Sequence, residues 1–168
     1  MTHKNLAWPS SGYAWLFPNV ASRGGKVYCY TSCLRTGYHT SASNPRGFHW
    51  AQDFSQYYLS GWHNLVGQVI ALPIGGVVTE NSWNDYWGWS SRIRGDDGNF
   101  WRFAHLKYKP GWNVGQRVSK GYKFGYVGET GNAHGPHLHV EVSDGVSRDP
   151  RFDPHAAFNP THFPRQAR

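Results

Sequence analysis

Two histidines and a glutamate alternate with apolar residues in the stretch Gly135-Pro136-His137-Leu138-His139-Val140-Glu141-Val142. A β-strand places every second side chain on one face, so the polar set would point one way and the apolar set into a core. Neighbouring neutral imidazoles are suitable ligands for zinc. Two solvated histidines on a polar strand face would give the same pattern, and this motif alone leaves both interpretations open.

Two further segments carry residues of the same chemistry. His49 and Asp53 lie four residues apart, and the nearby Pro45 and Gly47 favour a strand end or a loop over a helix for this pair. His105 follows a strong turn signal and an apolar segment, and it is predicted to end a strand. Each segment alone is weak evidence, because a histidine near a carboxylate is more often a surface hydrogen bond.

The rest of the sequence predicts the elements that must position these residues. The 20 glycines and 17% aromatic residues indicate a mainly β fold, a single domain formed by an antiparallel sheet with a groove, long loops and little helix. Strands are predicted at 27–30, 67–73, 90–94, 99–105, 115–121 and 124–128, with a hairpin turn at 95–98. The segment 55–67 is predicted as a loop or short helix, and the segment 81–89 as a Trp-rich hairpin loop.

The charge and the N-terminus limit the classes of function. The 168 residues include 17 Lys and Arg against 10 Asp and Glu, and the formal charge of +7 favours polyanionic partners. The basic residues are scattered, which weakens a dedicated nucleic-acid interpretation. No apolar run of about 18 residues predicts a membrane span, and the start of the chain lacks the apolar stretch of a secretory signal. Cys29 and Cys33 could close a small disulfide loop or remain free thiols.

Taken together, the motifs and their order resemble the lysostaphin-type, or LytM-like, family of zinc metalloendopeptidases. The resemblance covers about residues 45–145. Its segments are His49-x-x-x-Asp53, Gly67–Val78, Phe103-Ala104-His105-Leu106, Gly115-Gln116-Arg117-Val118, Gly128-Glu129-Thr130-Gly131-Asn132 and Gly135–Glu141. The chain departs from the family in a longer connection between Asp53 and Gly67 and in residues 1–45, which match only loosely.

The resemblance implies roles for five residues. His49, Asp53 and His139 match the family's zinc ligands, and His105 and His137 match its two catalytic histidines that do not bind the metal. Three protein ligands leave a fourth tetrahedral position for water, as in catalytic zinc sites. Zinc lowers the pKa of a coordinated water to roughly 7, which supplies a nucleophile near neutral pH. We therefore expect one catalytic zinc ion.

Two polar residues beside this set have open roles. Glu141 lies on the histidine face, where it could accept a hydrogen bond from a ligand imidazole or be an ordinary exposed carboxylate. His134 is predicted to be a loop residue. Three regions are expected along the chain: an irregular N-terminal segment at 1–45 packed on the domain, a peptidase core at 46–145 and a Pro-rich tail at 146–168.

The function implied by the resemblance is hydrolysis of peptide bonds in the stem or cross-bridge of bacterial peptidoglycan. The expected partners are the wall peptide and anionic wall polymers, and we expect a monomer with no specific nucleic acid and no membrane span. The expected place of action is the bacterial cell wall, reached by phage-type release or after removal of a leader. A catalytically silent wall-binding or activator module of the same fold is the alternative, although all five site positions are present.

Overall fold

The computed structural model describes residues 17–21, 26–29, 52–58, 61–63 and 65–143. These residues form a short helix, α1 (Pro18–Ala21), and the strands β1 (Lys26–Cys29), β2 (Gln52–Tyr58), β3 (Gly61–His63), β4 (Val69–Ala71), β5 (Gly76–Asn84), β6 (Gly88–Gly95), β7 (Phe100–Leu106), β8 (Arg117–Val118), β9 (Lys123–Tyr126) and β10 (Leu138–Ser143). No helix in these ranges has the length and hydropathy to cross a membrane.

The strands of the described part form two antiparallel sheets. The larger sheet has the order β1-β2-β10-β7-β6-β5-β8, with β3 added beside β2, and the smaller sheet pairs β4 with β9. The hairpin predicted around residues 95–98 is formed by β6 and β7, and His105 is the penultimate residue of β7. The predicted fold class, mainly antiparallel β with little helix, is confirmed.

The strand β10 lies between β2 and β7 and is buried on both faces. Leu138 and Val140 are fully buried on one face, which is the apolar face that the sequence alternation predicts. His139 and Glu141 alternate onto the other face and are also buried. Because neighbours enclose both faces, β10 holds its polar side chains in fixed positions.

An apolar cluster packs against the sheet and stabilises it. The buried cluster comprises Phe17, Phe54, Leu65, Ile70, Leu72, Val78, Ile93, Trp101, Phe103, Leu106, Trp112, Val118, Phe124, Val127, Leu138 and Val140. Each such side chain contributes about 1.5–3 kcal/mol when removed from water. The Trp112 ring lies parallel to Phe124 with centroids 4.8 Å apart, and its Nε1–H donates to Ser91 Oγ over 2.7 Å. The indole is therefore packed without leaving its polar atom unpaired.

Two of the predictions for connecting segments were wrong. The segment 55–67 was predicted as a loop or helix, but most of it belongs to β2 and β3, which pair with each other. The segment 81–89 was predicted as a hairpin loop, but β5 and β6 extend into it. Trp83 and Trp89 are directly opposite in this pair, and their rings make an edge-to-face contact at 5.4 Å. Such cross-strand aromatic pairs stabilise a hairpin where composition alone indicated a loop.

Candidate active site

Strand pairing brings a carboxylate and a histidine from distant parts of the chain together. Asp53 on β2 is the direct register partner of His139 on β10. Asp53 Oδ1 lies 3.0 Å from His139 Nδ1 and 3.6 Å from His137 Nε2. His137 precedes β10, where its backbone forms a bridge with Gly128. The predicted face shared by His137 and His139 therefore exists, and it faces a carboxylate.

A bulge in β7 turns His105 toward the same place. Two β7 residues, Ala104 and His105, lie opposite the single β6 residue Ser90, since the register shifts between Trp89 and Ser91. His105 adopts a left-handed backbone conformation with φ 58°, which is costly for a residue with a side chain. Its ring centroid lies 4.8 Å from that of His137 and 5.3 Å from that of His139. The strained bulge thus completes a cluster of three imidazoles.

Backbone carbonyls select the same ring tautomer for two of the histidines. His105 Nδ1 lies 2.7 Å from the carbonyl oxygen of Thr130, and His137 Nδ1 lies 2.7 Å from that of Gly135. A carbonyl oxygen only accepts hydrogen bonds, so Nδ1 must carry the proton in both rings. The Nε2 atoms of neutral His105 and His137 are therefore left to accept protons.

His139 has the opposite arrangement of its ring nitrogens. Its Nε2 lies 3.0 Å from Glu141 Oε1, and its Nδ1 faces Asp53. Glu141 is buried, so the exposed-carboxylate interpretation of this residue was wrong. The hydrogen bond from Nε2–H to a carboxylate is typical of an imidazole that presents its other nitrogen to a metal.

The loop after β9 is held against the tip of the β5–β6 hairpin. Thr130 Oγ1 accepts the Trp89 N–H over 3.1 Å and donates to the Leu106 carbonyl over 2.7 Å. The hairpin tip and the loop approach closely at Gly88 and Gly131, both of which have positive φ. The carbonyl oxygen of Thr130 also accepts the Nδ1–H of His105, so the contact between the loop and the hairpin tip sets the orientation of the His105 ring.

We expect Gly88→Ala to destabilise the protein much more than Gly98→Ala. Both glycines have positive φ, so each alanine carries a backbone penalty of about 1–2 kcal/mol. A Cβ at Gly88 would also lie 2.3 Å from Thr130 Oγ1, whereas at Gly98 nothing lies within 4 Å. Denaturant unfolding of both variants measures the difference. Equal losses of stability would contradict the close-contact argument.

The environment shifts the pKa values of two of these histidines in opposite directions. Burial lowers the pKa of His105 to about 3, and the positive charge that His139 and His137 can carry adds to this effect. Burial acts in the same direction on His139, but its hydrogen bonds to Asp53 and Glu141 outweigh it and raise its pKa to about 9. In the metal-free protein at neutral pH, His105 is therefore neutral and His139 is protonated.

These shifts predict that the two imidazoles stabilise the zinc-free protein most near pH 6.5. Below pH 6.5 the unfolded chain protonates His105 while the folded protein does not, so stability falls toward pH 3. Above pH 6.5 the folded protein keeps a proton on His139 that the unfolded chain has lost, so stability falls toward pH 9. Each slope is about 1.4 kcal/mol per pH unit. Denaturant midpoints of chelator-treated protein test this. His139→Gln should remove the alkaline slope and reduce the acid one, because the positive charge on His139 contributes to the low pKa of His105.

The structure brings together four of the five predicted site residues. Asp53, His105, His137 and His139 converge, and one donor atom from each of the three histidines lies within 4.8 Å of the others. His49 lies outside the described residues, as do Cys33 and the side chain of Cys29. His134 is exposed in the loop, as predicted. The individual roles of the site residues remain predictions.

Sequence reasoning did not find the residues that surround Glu141. The Trp87 Nε1–H donates to Glu141 Oε1 over 2.9 Å, and Arg102 Nε lies 3.4 Å from Glu141 Oε2. Trp87 precedes Glu141 by 54 positions, and no spacing in the sequence links the two. An arginine in the middle of the apolar strand β7 was the one local signal of a buried ion pair.

Comparison with known proteins identifies the family. Residues 62–150, more than half of the chain, match the model of peptidase family M23, and the chain belongs to this family. The predicted resemblance to LytM-like peptidases is thereby confirmed. The matched range begins after Asp53, so the presence of this carboxylate at the site is established by the strand pairing and not by the family match.

Individual relatives agree with this assignment. The peptidoglycan DD-endopeptidase ShyC of Vibrio cholerae is 34% identical over 105 residues, a match that covers 53% of this chain and 24% of ShyC. The chain therefore spans about a quarter of that relative. The lysostaphin catalytic domain of Staphylococcus simulans superposes with a TM-score of 0.59 at 24% identity, over 83% of this chain and 91% of that domain. A zinc-containing peptidase of Vibrio cholerae superposes with a TM-score of 0.50 at 27% identity, over 64% of this chain and 32% of that peptidase.

Proposed function

We propose that this protein is a zinc-dependent endopeptidase that hydrolyses peptide bonds in the stem or cross-bridge of bacterial peptidoglycan. The observation that carries the proposal is the convergence of Asp53 with His105, His137 and His139, although Asp53 and His139 are 86 positions apart. Membership of peptidase family M23 and the similarity to a peptidoglycan DD-endopeptidase support the reaction and the substrate class. Action on this substrate would take place at the cell wall.

The donor set fits zinc. Imidazole nitrogens and a carboxylate oxygen are the ligands that zinc accepts, and they approach one another closely here. We assign Asp53 and Nδ1 of His139, together with His49, as the residues that would hold the metal. This assignment leaves His105 and His137 for proton transfer. A ligand set made of the three clustered histidines is the competing arrangement, and the variants described in the Discussion separate the two.

The residues of the chain supply the remaining chemistry. A bound zinc ion would polarise the scissile carbonyl and make a water molecule more acidic. His105 and His137 each have Nδ1–H fixed on a backbone carbonyl, so each can accept a proton from the attacking water at Nε2 and return it to the leaving amine. The low pKa of His105 keeps that ring neutral near pH 7. Protonated imidazole would also stabilise negative charge on the carbonyl oxygen.

The test is hydrolysis of purified walls and of a defined muropeptide, followed by mass spectrometry of the released fragments. We expect release of peptides with new amino and carboxyl termini, loss of release after chelation, and recovery with one equivalent of zinc. Undiminished release from zinc-free protein would overturn the proposal. Binding to walls without any release in the presence of zinc would instead identify a silent binding module.

We also infer that anionic wall polymers contact a surface around Lys107, Tyr108 and Tyr126, to which the exposed Lys109 and Lys123, two and three positions away along the chain, add positive charge. All five side chains are exposed, and no Asp or Glu occurs between residues 98 and 128. The rings of Tyr108 and Tyr126 meet at 6.3 Å, and the Lys107 ammonium lies 5.3 Å from the Tyr108 ring. Grouped positive charge without acidic neighbours raises the local concentration of polyanions.

This inference predicts a strong effect of salt and of lysine replacement. The triple variant Lys107→Gln, Lys109→Gln, Lys123→Gln should bind phosphate-polymer-containing walls at least about 10-fold more weakly at low salt. Arg94→Gln, which removes an exposed charge on β6, serves as the control. Hydrolysis of a short neutral muropeptide should be unchanged in both. Equal binding of the triple variant and the control would contradict the inference.

A further inference from the structure

A chain of buried charged groups lies behind His139. Glu141 Oε1 lies 3.0 Å from His139 Nε2 and accepts the Trp87 Nε1–H over 2.9 Å. The other oxygen, Oε2, lies 3.4 Å from Arg102 Nε. The exposed fractions of His139, Glu141 and Arg102 are only 5%, 6% and 8%. A carboxylate so far from water requires compensation, and Trp87 provides a hydrogen-bond donor while Arg102 provides a positive charge.

Arg102 is itself fixed from a third strand. Its Nη1 and Nη2 donate to the two oxygens of Glu80 over 2.8 and 2.9 Å, a two-point contact that holds the guanidinium plane. The guanidinium also lies over the Trp87 ring, 3.9 Å from its centroid. Arg102 and Glu141 are direct register partners on β7 and β10. Glu80, Arg102 and Trp87 therefore form a rigid support around one carboxylate.

The position of this carboxylate determines which nitrogen His139 presents to the site. In the protonated ring of the metal-free protein, Nε2–H donates to Glu141 and Nδ1–H donates to Asp53. When Nδ1 gives up its proton to bind a metal, the contact with Glu141 keeps the remaining ring proton on Nε2. If Glu141 turned away, the ring could rotate or take its other tautomer. The geometry would then no longer present Nδ1 toward Asp53.

We propose that Trp87 and Arg102 are positioning residues for zinc binding, which act by holding Glu141 in place as the acceptor for His139. The proposal rests on the proposed function, because it takes His139 as a metal ligand. Trp87 and Arg102 do not touch the metal or the substrate in this scheme. Their effect is on the affinity of the site for zinc, and partners of this kind typically change metal affinity 10- to 100-fold.

The decisive variant is Trp87→Phe, which keeps an aromatic ring under Arg102 and deletes one N–H donor. Zinc affinity, measured by competition with a chelator on the full chain, should fall about 10- to 100-fold. Arg102→Lys keeps the charge but loses the planar contact with Glu80 and Glu141. The zinc affinity of this variant should fall at least as far as that of Trp87→Phe. The matched control is Arg94→Gln, which removes an exposed guanidinium from the same strand β6, at the register partner of Phe100. It should bind zinc as the wild type does.

A second measurement separates positioning from general destabilisation. Saturating zinc should restore hydrolysis by Trp87→Phe to within about twofold of the wild type, because the catalytic groups are unchanged. A merely structural role would lower the thermal midpoint of the zinc-free protein and leave zinc affinity unchanged. Wild-type zinc affinity in Trp87→Phe would overturn this proposal and leave the proposed function intact. Failure of the wild type itself to bind zinc would instead overturn the proposed function.

Discussion

His139→Ala is expected to lose both zinc and hydrolysis. Among the histidine side chains that the structure describes, His139 is the one whose Nε2 contacts Glu141 while its Nδ1 faces Asp53, which is the arrangement expected of a metal ligand. Loss of the metal removes both the polarising charge and the acidified water. Removal of a single oxyanion donor lowers a hydrolysis rate by about 10²–10³-fold. The hydrolysis rate of His139→Ala should fall further than that.

Two measurements on the purified variant test this expectation. Metal analysis should give about one zinc per chain for the wild type and close to none for His139→Ala. Muropeptide hydrolysis should be undetectable even with added zinc. The exposed loop variant His134→Ala is the matched control, since it removes a nearby histidine that contacts none of the site residues in the described contacts. Persistent hydrolysis by zinc-free His139→Ala would contradict the whole mechanism.

His137→Ala and His105→Ala should keep zinc but lose hydrolysis. Both rings have Nδ1–H bound to a backbone carbonyl and Nε2 free to exchange protons. A positioned acid or base contributes about 10²–10⁴-fold to the rate, so kcat should fall by that amount in each variant while the zinc content stays at one per chain. Loss of zinc in either variant would favour the competing ligand set of three histidines.

His105 permits a further separation of chemistry from strain. Its backbone has φ 58°, which glycine adopts at little cost. His105→Gly should therefore be as stable as His105→Ala or more stable, although glycine is normally the less stable residue in a strand. Both variants should lose kcat equally, because neither has an imidazole. A large difference in kcat between them would show that the bulge geometry, and not the ring, is responsible for the loss.

Local sequence patterns were sufficient for the central features of the fold. The alternation in this stretch predicted that Leu138 and Val140 of β10 face the core, and the Gly95–Gly98 turn predicted the hairpin that ends near His105. Both signals are local, because strand periodicity and turn chemistry depend on a few adjacent residues. The strands in the aromatic segments 55–63 and 81–89 were not predicted, because composition does not show that β2 pairs with β3 or that β5 and β6 pair up to Asn84 and Gly88.

The types and order of the reactive residues were also available from the sequence. Asp53, His105, His137 and His139 were all predicted as site residues, and the described structure brings them together. What the sequence could not supply was the state of each ring. The tautomers of His105 and His137 follow from the carbonyls of Thr130 and Gly135, and the raised pKa of His139 follows from Asp53 and Glu141.

The sequence alone therefore predicted an antiparallel β fold and, through its resemblance to a known family, the members of a candidate metal site, because both predictions rest on short motifs. Only the tertiary structure decided that Glu141 is buried against Trp87 and Arg102, and that His105 turns inward on a bulge. Those features arise where four strands pack together, and the hydrogen bond between Trp87 and Glu141 spans 54 positions. Contacts of that range follow from the packing of the sheet and leave no local pattern in the chain.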